Sequence, residues 1–175
     1  MGWKSNPDRY GSVAIAIHWI SAVAILGLLW AGFVAADTAD EAAKIQVLRL
    51  HTAAGIAVLS LTLFRIGWWL FADRRPVETA GLPRWQGRSA RIVHRLLYLI
   101  IIVLGASGIA MMALSGAGDV VWGEATGLPD FQDYPPRAVH GIAGRLLVLL
   151  AVVHIAAALY HQFVRRDATM SRMLP

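Results

Sequence analysis

Four apolar runs, each long enough to cross a lipid bilayer, leave this chain almost no fold but a membrane helix bundle. They occupy residues 13–36, 48–71, 92–114 and 138–164. The hydrocarbon core is about 30 Å thick, so a spanning helix needs roughly 20 mostly apolar residues. Lipid offers no hydrogen-bond partner, so the backbone of such a run must satisfy itself as a helix. Pro is absent from all four runs and gathers between them at Pro76, Pro83, Pro129, Pro135 and Pro136. The expected fold is an all-α bundle of four transmembrane helices, with residues 1–175 forming a single domain. The connection 115–137, with Trp122, Phe131 and Tyr134, is expected to cap one interface.

The first run follows Lys4 and Arg9 and precedes Ala35 and Ala36, as a signal peptide would. It is longer than the 7–15 apolar residues of a signal sequence and carries His18, so it is expected to be retained.

Lys and Arg set the expected orientation. Lys4, Arg9, Arg74, Arg75, Arg84, Arg88, Arg91, Arg165, Arg166 and Arg172 fall on one side, and only Lys44, Arg49 and Arg137 on the other. The positive-inside rule then puts both termini in the cytoplasm. The net charge of +5 follows from these flanks and not from one basic face, which excludes a nucleic-acid reading. The other connections are acidic: Asp37, Asp40, Glu41, Asp119, Glu124, Asp130 and Asp133.

There is no cysteine, which excludes disulfides, iron–sulfur clusters and covalently attached haem. The six histidines are His18, His51, His94, His140, His154 and His161. His140 and His154 are 14 residues apart. On a helix that is about 21 Å along the axis and about 40° around it, so one face presents two imidazoles at two depths. His51 matches the depth of His140, and His18 that of His154. Two axial imidazoles on facing helices at one depth are what a b-type haem iron requires. The expected cofactors are therefore two bis-His haems, ligated by His51/His140 and His18/His154. His161 lies on the same stripe and competes with His154. His94 and His161 otherwise read as interfacial residues.

Gly55 and Gly144, each four residues after a ligand candidate, either admit a flat macrocycle or allow close helix packing. Arg65 and Arg145 lie within the spans and either pair with haem propionates or snorkel to headgroups. The tryptophans and methionines read as packing residues.

With these residues in view, the chain resembles the bacterial cytochrome b561 family, in the wider group that includes the cytochrome b subunits of nickel–iron hydrogenases. The resemblance is carried by Arg9-Tyr10, Ala16-Ile17-His18-Trp19, Leu50-His51 with Gly55 and Arg65, and His94 with Leu97-Tyr98, Gly105 and Gly108. It continues through His140 with Gly144, His154-Ile155-Ala156-Ala157-Ala158, His161, Arg166-Asp167-Ala168-Thr169 and Arg172-Met173-Leu174-Pro175. Gly105 and Ala106 depart from it, because many relatives carry proline there.

The resemblance implies a dihaem cytochrome of the bacterial inner membrane that exchanges electrons with the quinone pool, ubiquinone or a similar quinone. Some family members are superoxide:quinone oxidoreductases. The electron donor would be superoxide or a redox protein at the outer face, where Lys44, Arg49 and Arg137 offer a local basic entrance among the acids. A quinone site is expected near either haem, with His94, Arg95 or His161 as candidates to hydrogen-bond a quinone carbonyl on the cytoplasmic side. Two other readings stay open: a haem-bearing anchor subunit of a larger dehydrogenase or hydrogenase, and a His-lined metal or proton transporter. No Asp or Glu lies within the four runs, which speaks against the transporter.

Overall fold

The structure, a computed structural model, describes residues 2–77 and 83–174. Pro175 of the tail motif lies outside them. The chain is all-helical among these residues. Four long helices form the bundle: α1 (Ser12–Asp37), α2 (Glu41–Gly67), α3 (Arg84–Leu114) and α5 (Pro135–Tyr160), with a short α4 (Ala117–Trp122) between the last two. The ends of α2 and α5 widen into single π-helical turns, Trp68–Ala72 and His161–Arg165. All four long helices are long and apolar enough to span a membrane, with mean hydropathies of 1.7 to 2.4 over their most apolar stretches. This is a multi-pass membrane protein.

The helices outrun the apolar segments that predicted them. α2 begins at Glu41 rather than at 48, because Asp40 caps it by accepting a hydrogen bond from the Ala43 N–H. α3 begins at Arg84, eight residues before its apolar run. Pro135 and Pro136 belong to α5 rather than to the connection before it. Proline is favoured in a first turn, where its missing N–H has no intrahelical partner to lose. Apolar length marks the lipid-crossing part of a helix, whereas capping decides where the helix stops.

α3 packs most closely on α5, and α1 on α2. Apolar burial gives helices no reason to associate inside lipid, so close packing and small residues must hold them. Ser107 and Thr62 are buried and bond back to the carbonyls of Leu104 and Val58. A Cβ at Gly105 would come within 2.8 Å of Leu59, so glycine is what lets α2 approach α3 there. α3 continues through Gly105 and Ala106 without a break.

The two ends of the bundle are closed differently. At the cap end, Gly116 adopts φ 69°, the left-handed conformation that ends α3 and turns the chain into α4. Val121 is fully buried against Ala35 and Leu48, with Phe131 and Met112 packed alongside. The Arg49 guanidinium donates to the Val121 carbonyl and ties α2 to this cap. At the other end, the N-terminal segment, the start of the α2–α3 connection and the C-terminal tail interlock. Arg172 donates to the carbonyls of Pro7, Asp8 and Val77, Arg9 donates to Leu174, and the Trp19 indole donates to Met173. Both termini therefore share one face.

Candidate cofactor site

The predicted histidine pairs meet. His51 of α2 and His140 of α5 have ring centroids 6.1 Å apart, towards the cap end. His18 of α1 and His154 of α5 have centroids 6.3 Å apart, towards the terminal end. An imidazole nitrogen ligates a metal at about 2 Å. Adding about 1 Å from that nitrogen to the ring centre at each end, two imidazoles on opposite sides of one iron have centroids roughly 6 Å apart. Both separations meet that requirement, and α5 supplies one ring to each pair.

The cap-end pair opens on a cavity of about 530 Å³ lined by His51, His140, Gly55, Gly144 and Arg145. That volume lies inside the range of about 300–1,000 Å³ usual for cofactor and ligand sites. A Cβ built at Gly55 or Gly144 meets nothing within 4 Å. Neither glycine serves close helix packing, so the space their missing side chains leave belongs to the cavity. Sequence reasoning overlooked Gly32 and gave Gly108 no role at this site. A Cβ at Gly32 would come within 3.3 Å of the His51 ring, and one at Gly108 within 3.4 Å of the His140 ring. Each imidazole is thus seated against a glycine of the neighbouring helix, a signal visible only once the helices are paired.

The hydrogen bonding of the rings differs. His140 Nδ1 lies 3.1 Å from the Leu104 carbonyl and 3.1 Å from Ser107 Oγ. A proton held on Nδ1 leaves the Nε2 lone pair free for a metal. His51 faces the Leu28 carbonyl, but no hydrogen bond of good geometry forms, and its buried Nδ1 has no partner among the described residues.

At the terminal end, Arg65 Nη1 stands 3.3 Å from His18 Nδ1, and the Arg65 guanidinium lies over the Tyr98 ring. The buried Arg65 Nε has no partner among the described residues. His94, expected at the interface, instead lies beside His154 with ring centroids 5.2 Å apart. That is shorter than two imidazoles across one iron require, so His94 fits as a neighbour of the pair rather than its second ligand. His161 points elsewhere: its Nδ1 pairs with Asp167 at 2.7 Å in the tail. Among the described residues no group of three His, Asp or Glu side chains is arranged to hold a bare metal ion. The donor set is paired imidazoles with a cavity between helices, which fits a haem.

The profile of the prokaryotic cytochrome b561 family matches residues 9–175. The chain belongs to that family. It is a membrane haem protein with the b-type haem binding of the cytochrome b561 fold, and its relatives agree in length as well as in sequence. Cytochrome b561 homolog 2 of Escherichia coli K12 is 27% identical over 99% of this chain and 95% of its own. The probable superoxide oxidase CybB of Yersinia pestis is 25% identical, covering 95% and 96%. Cytochrome b562 of Cereibacter sphaeroides is 30% identical, covering 94% of each. No solved structure matches. Of the residues expected at a basic entrance, Arg49 donates to the Val121 carbonyl and Arg137 lines the cavity.

Proposed function

We propose that this cytochrome carries two b-type haems, ligated by His51 and His140 near the cap and by His18 and His154 near the termini, and conducts electrons across the inner membrane to the quinone pool. The observation that carries this reading is the pair of imidazole separations, 6.1 Å and 6.3 Å, at two depths of one bundle. Haem supplies one-electron chemistry when bound. The chain's part is to hold four imidazoles in place, keep the path dry and shape the two ends.

By the distribution of Lys and Arg, the terminal face is cytoplasmic and the cap faces the periplasm. The cap face is then where a donor delivers electrons. Superoxide is the donor favoured by the name of the Yersinia relative: each molecule gives up one electron and leaves as dioxygen. Two such electrons and two protons convert a quinone to its quinol. Lys44 and Arg49, at the cap end of α2, offer the local positive charge that an anion needs on a face otherwise rich in Asp and Glu. On the cytoplasmic side, His94, Arg95 and His161 are the candidates to hydrogen-bond a quinone carbonyl; Arg65 at that end and Arg145 at the cap-end cavity are the candidates to pair with propionates.

A visible spectrum of purified protein, oxidised and dithionite-reduced, with haem quantitation, tests the reading. Two low-spin b-type haems per chain are expected. Protein without haem, from cells with ample haem supply, would overturn it. Superoxide-dependent quinone reduction by the purified protein tests the donor.

A further inference from the structure

Two guanidinium groups of α5 converge on a single glycine at the cap-end cavity. A Cβ built on Gly141 would stand 2.9 Å from Arg137 Nη1 and 3.5 Å from Arg145 Nη1. Both arginines and Gly141 line the cavity that holds His51 and His140. Among the described residues neither arginine forms an ion pair, and the only hydrogen bond of either guanidinium runs from Arg145 Nη1 to the Gly141 carbonyl at 3.2 Å.

Three electrostatic penalties coincide here. Like charges this close repel. Arg137 sits in the first turn of α5, where the helix dipole is positive, and that turn has no acidic residue. Arg145 lies ten residues into the spanning helix, about 15 Å along its axis, where an unpaired charge is costly and marks a functional site. A carboxylate between the two guanidinia relieves all three, and planar guanidinium binds carboxylate in a bidentate fashion.

We infer that Arg137 and Arg145 form a carboxylate clamp at the mouth of the cap-end cavity, that its ligands are the propionates of the haem held by His51 and His140, and that Gly141 is the residue that lets the clamp close. The inference rests on the haem reading above. It adds Arg137 and Gly141 to the site and fixes the in-plane direction of that haem, with its propionates turned to the Arg137 end of α5. A side chain at Gly141 would occupy the place where the two guanidinia meet.

The test is haem release from purified holoprotein to excess apomyoglobin, the cap-end haem being the one that His140→Ala protein lacks. Arg137→Gln and Arg145→Gln are each expected to speed release of that haem roughly tenfold to a hundredfold, the loss of one or two charge-assisted bonds. Gly141→Ala should act in the same direction, and the lysine variants should recover part of the loss. The midpoint potential of that haem should fall in both glutamine variants, since a cation near the iron is removed. Unchanged release and unchanged potential in both would overturn the clamp. Unchanged release with a wild-type potential that differs between chloride and gluconate would assign the arginines to a diffusible anion and overturn the propionate assignment. Wild-type protein without any haem would refute the haem reading itself, before any arginine is altered.

Discussion

Arg65 of α2 reaches His18 of α1, with Nη1 3.3 Å from Nδ1. Arginine only donates, so this contact makes Nδ1 the acceptor and puts the imidazole proton on Nε2. A ring that ligates iron through Nε2 carries its proton on Nδ1 instead. Holding a haem at His18 therefore requires Arg65 to find another acceptor, and a propionate is the one a haem brings with it. Arg65→Gln protein should keep the terminal-end haem but show a lower midpoint potential for it, because a cation that disfavours the ferric state is gone. Potentiometric titration checks this; an unchanged potential would separate Arg65 from the haem.

Histidine replacement should divide the haems into two classes. His51→Ala and His140→Ala should each lose the cap-end haem and keep the other, while His18→Ala and His154→Ala do the reverse. His94→Ala and His161→Ala should keep both, since His94 is too near His154 and His161 is paired with Asp167. Haem quantitation of each variant reads the outcome. Loss of a haem from His161→Ala with retention in His154→Ala would exchange their roles.

The glycines at the cavity should respond according to what faces them. Leucine at Gly55 or Gly144 meets no neighbour at its Cβ but intrudes on the macrocycle, so cap-end haem occupancy should fall with little change in helix content. Gly32→Ala and Gly108→Ala press on the rings of His51 and His140 and should shift the spectrum of that haem while leaving it bound. Circular dichroism and visible spectra on the same samples distinguish the two kinds of effect.

Two carboxylates on the terminal face should make the protein acid-sensitive. Burial works to raise the Asp73 carboxyl, but hydrogen bonds from the Ser5 hydroxyl and N–H, the Arg74 N–H and the Trp68 indole outweigh it and hold it below the usual carboxylate range. Burial likewise opposes ionisation of Asp167, yet bonds from Thr169 and His161 hold it at about 2. A carboxyl with a depressed folded-state pKa contributes stability that is complete above its unfolded value of about 3.9 and is lost as pH falls towards the folded value. Thermal unfolding in detergent should therefore weaken between about pH 4 and 2. Asp73→Ala should cost about 1–3 kcal/mol at neutral pH, because it strands the donors of Ser5 and Trp68. It should also flatten part of the acid dependence. A melt of Asp73→Ala protein that matches the wild type at pH 7 would contradict this.

Much of the architecture was legible because lipid makes such strict demands. Apolar runs near 20 residues, proline between them and arginine at their flanks were enough to expect four spans, and His140 and His154 were placed on one helix face by periodicity alone. Helix ends were less legible. Glu41 and Arg84 start helices well outside the apolar runs, since caps and polar turns carry no hydropathy signal. Pro135 was read as a linker residue because the same residue type ends one helix and begins another.

By itself the sequence determined the number of spans, the family, and the spacing of His140 and His154 along one helix, because these depend on properties that accumulate along one helix. Tertiary structure decided what crosses between helices. It put His94 beside His154 and turned His161 to Asp167. It set Gly32 and Gly108 behind the rings of His51 and His140, and brought Arg137 and Arg145 together over Gly141. Such relationships depend on the rotation of one helix against another and on the rotamers of long side chains. Neither leaves a periodic trace in a single chain, because both are fixed by packing between segments far apart in sequence.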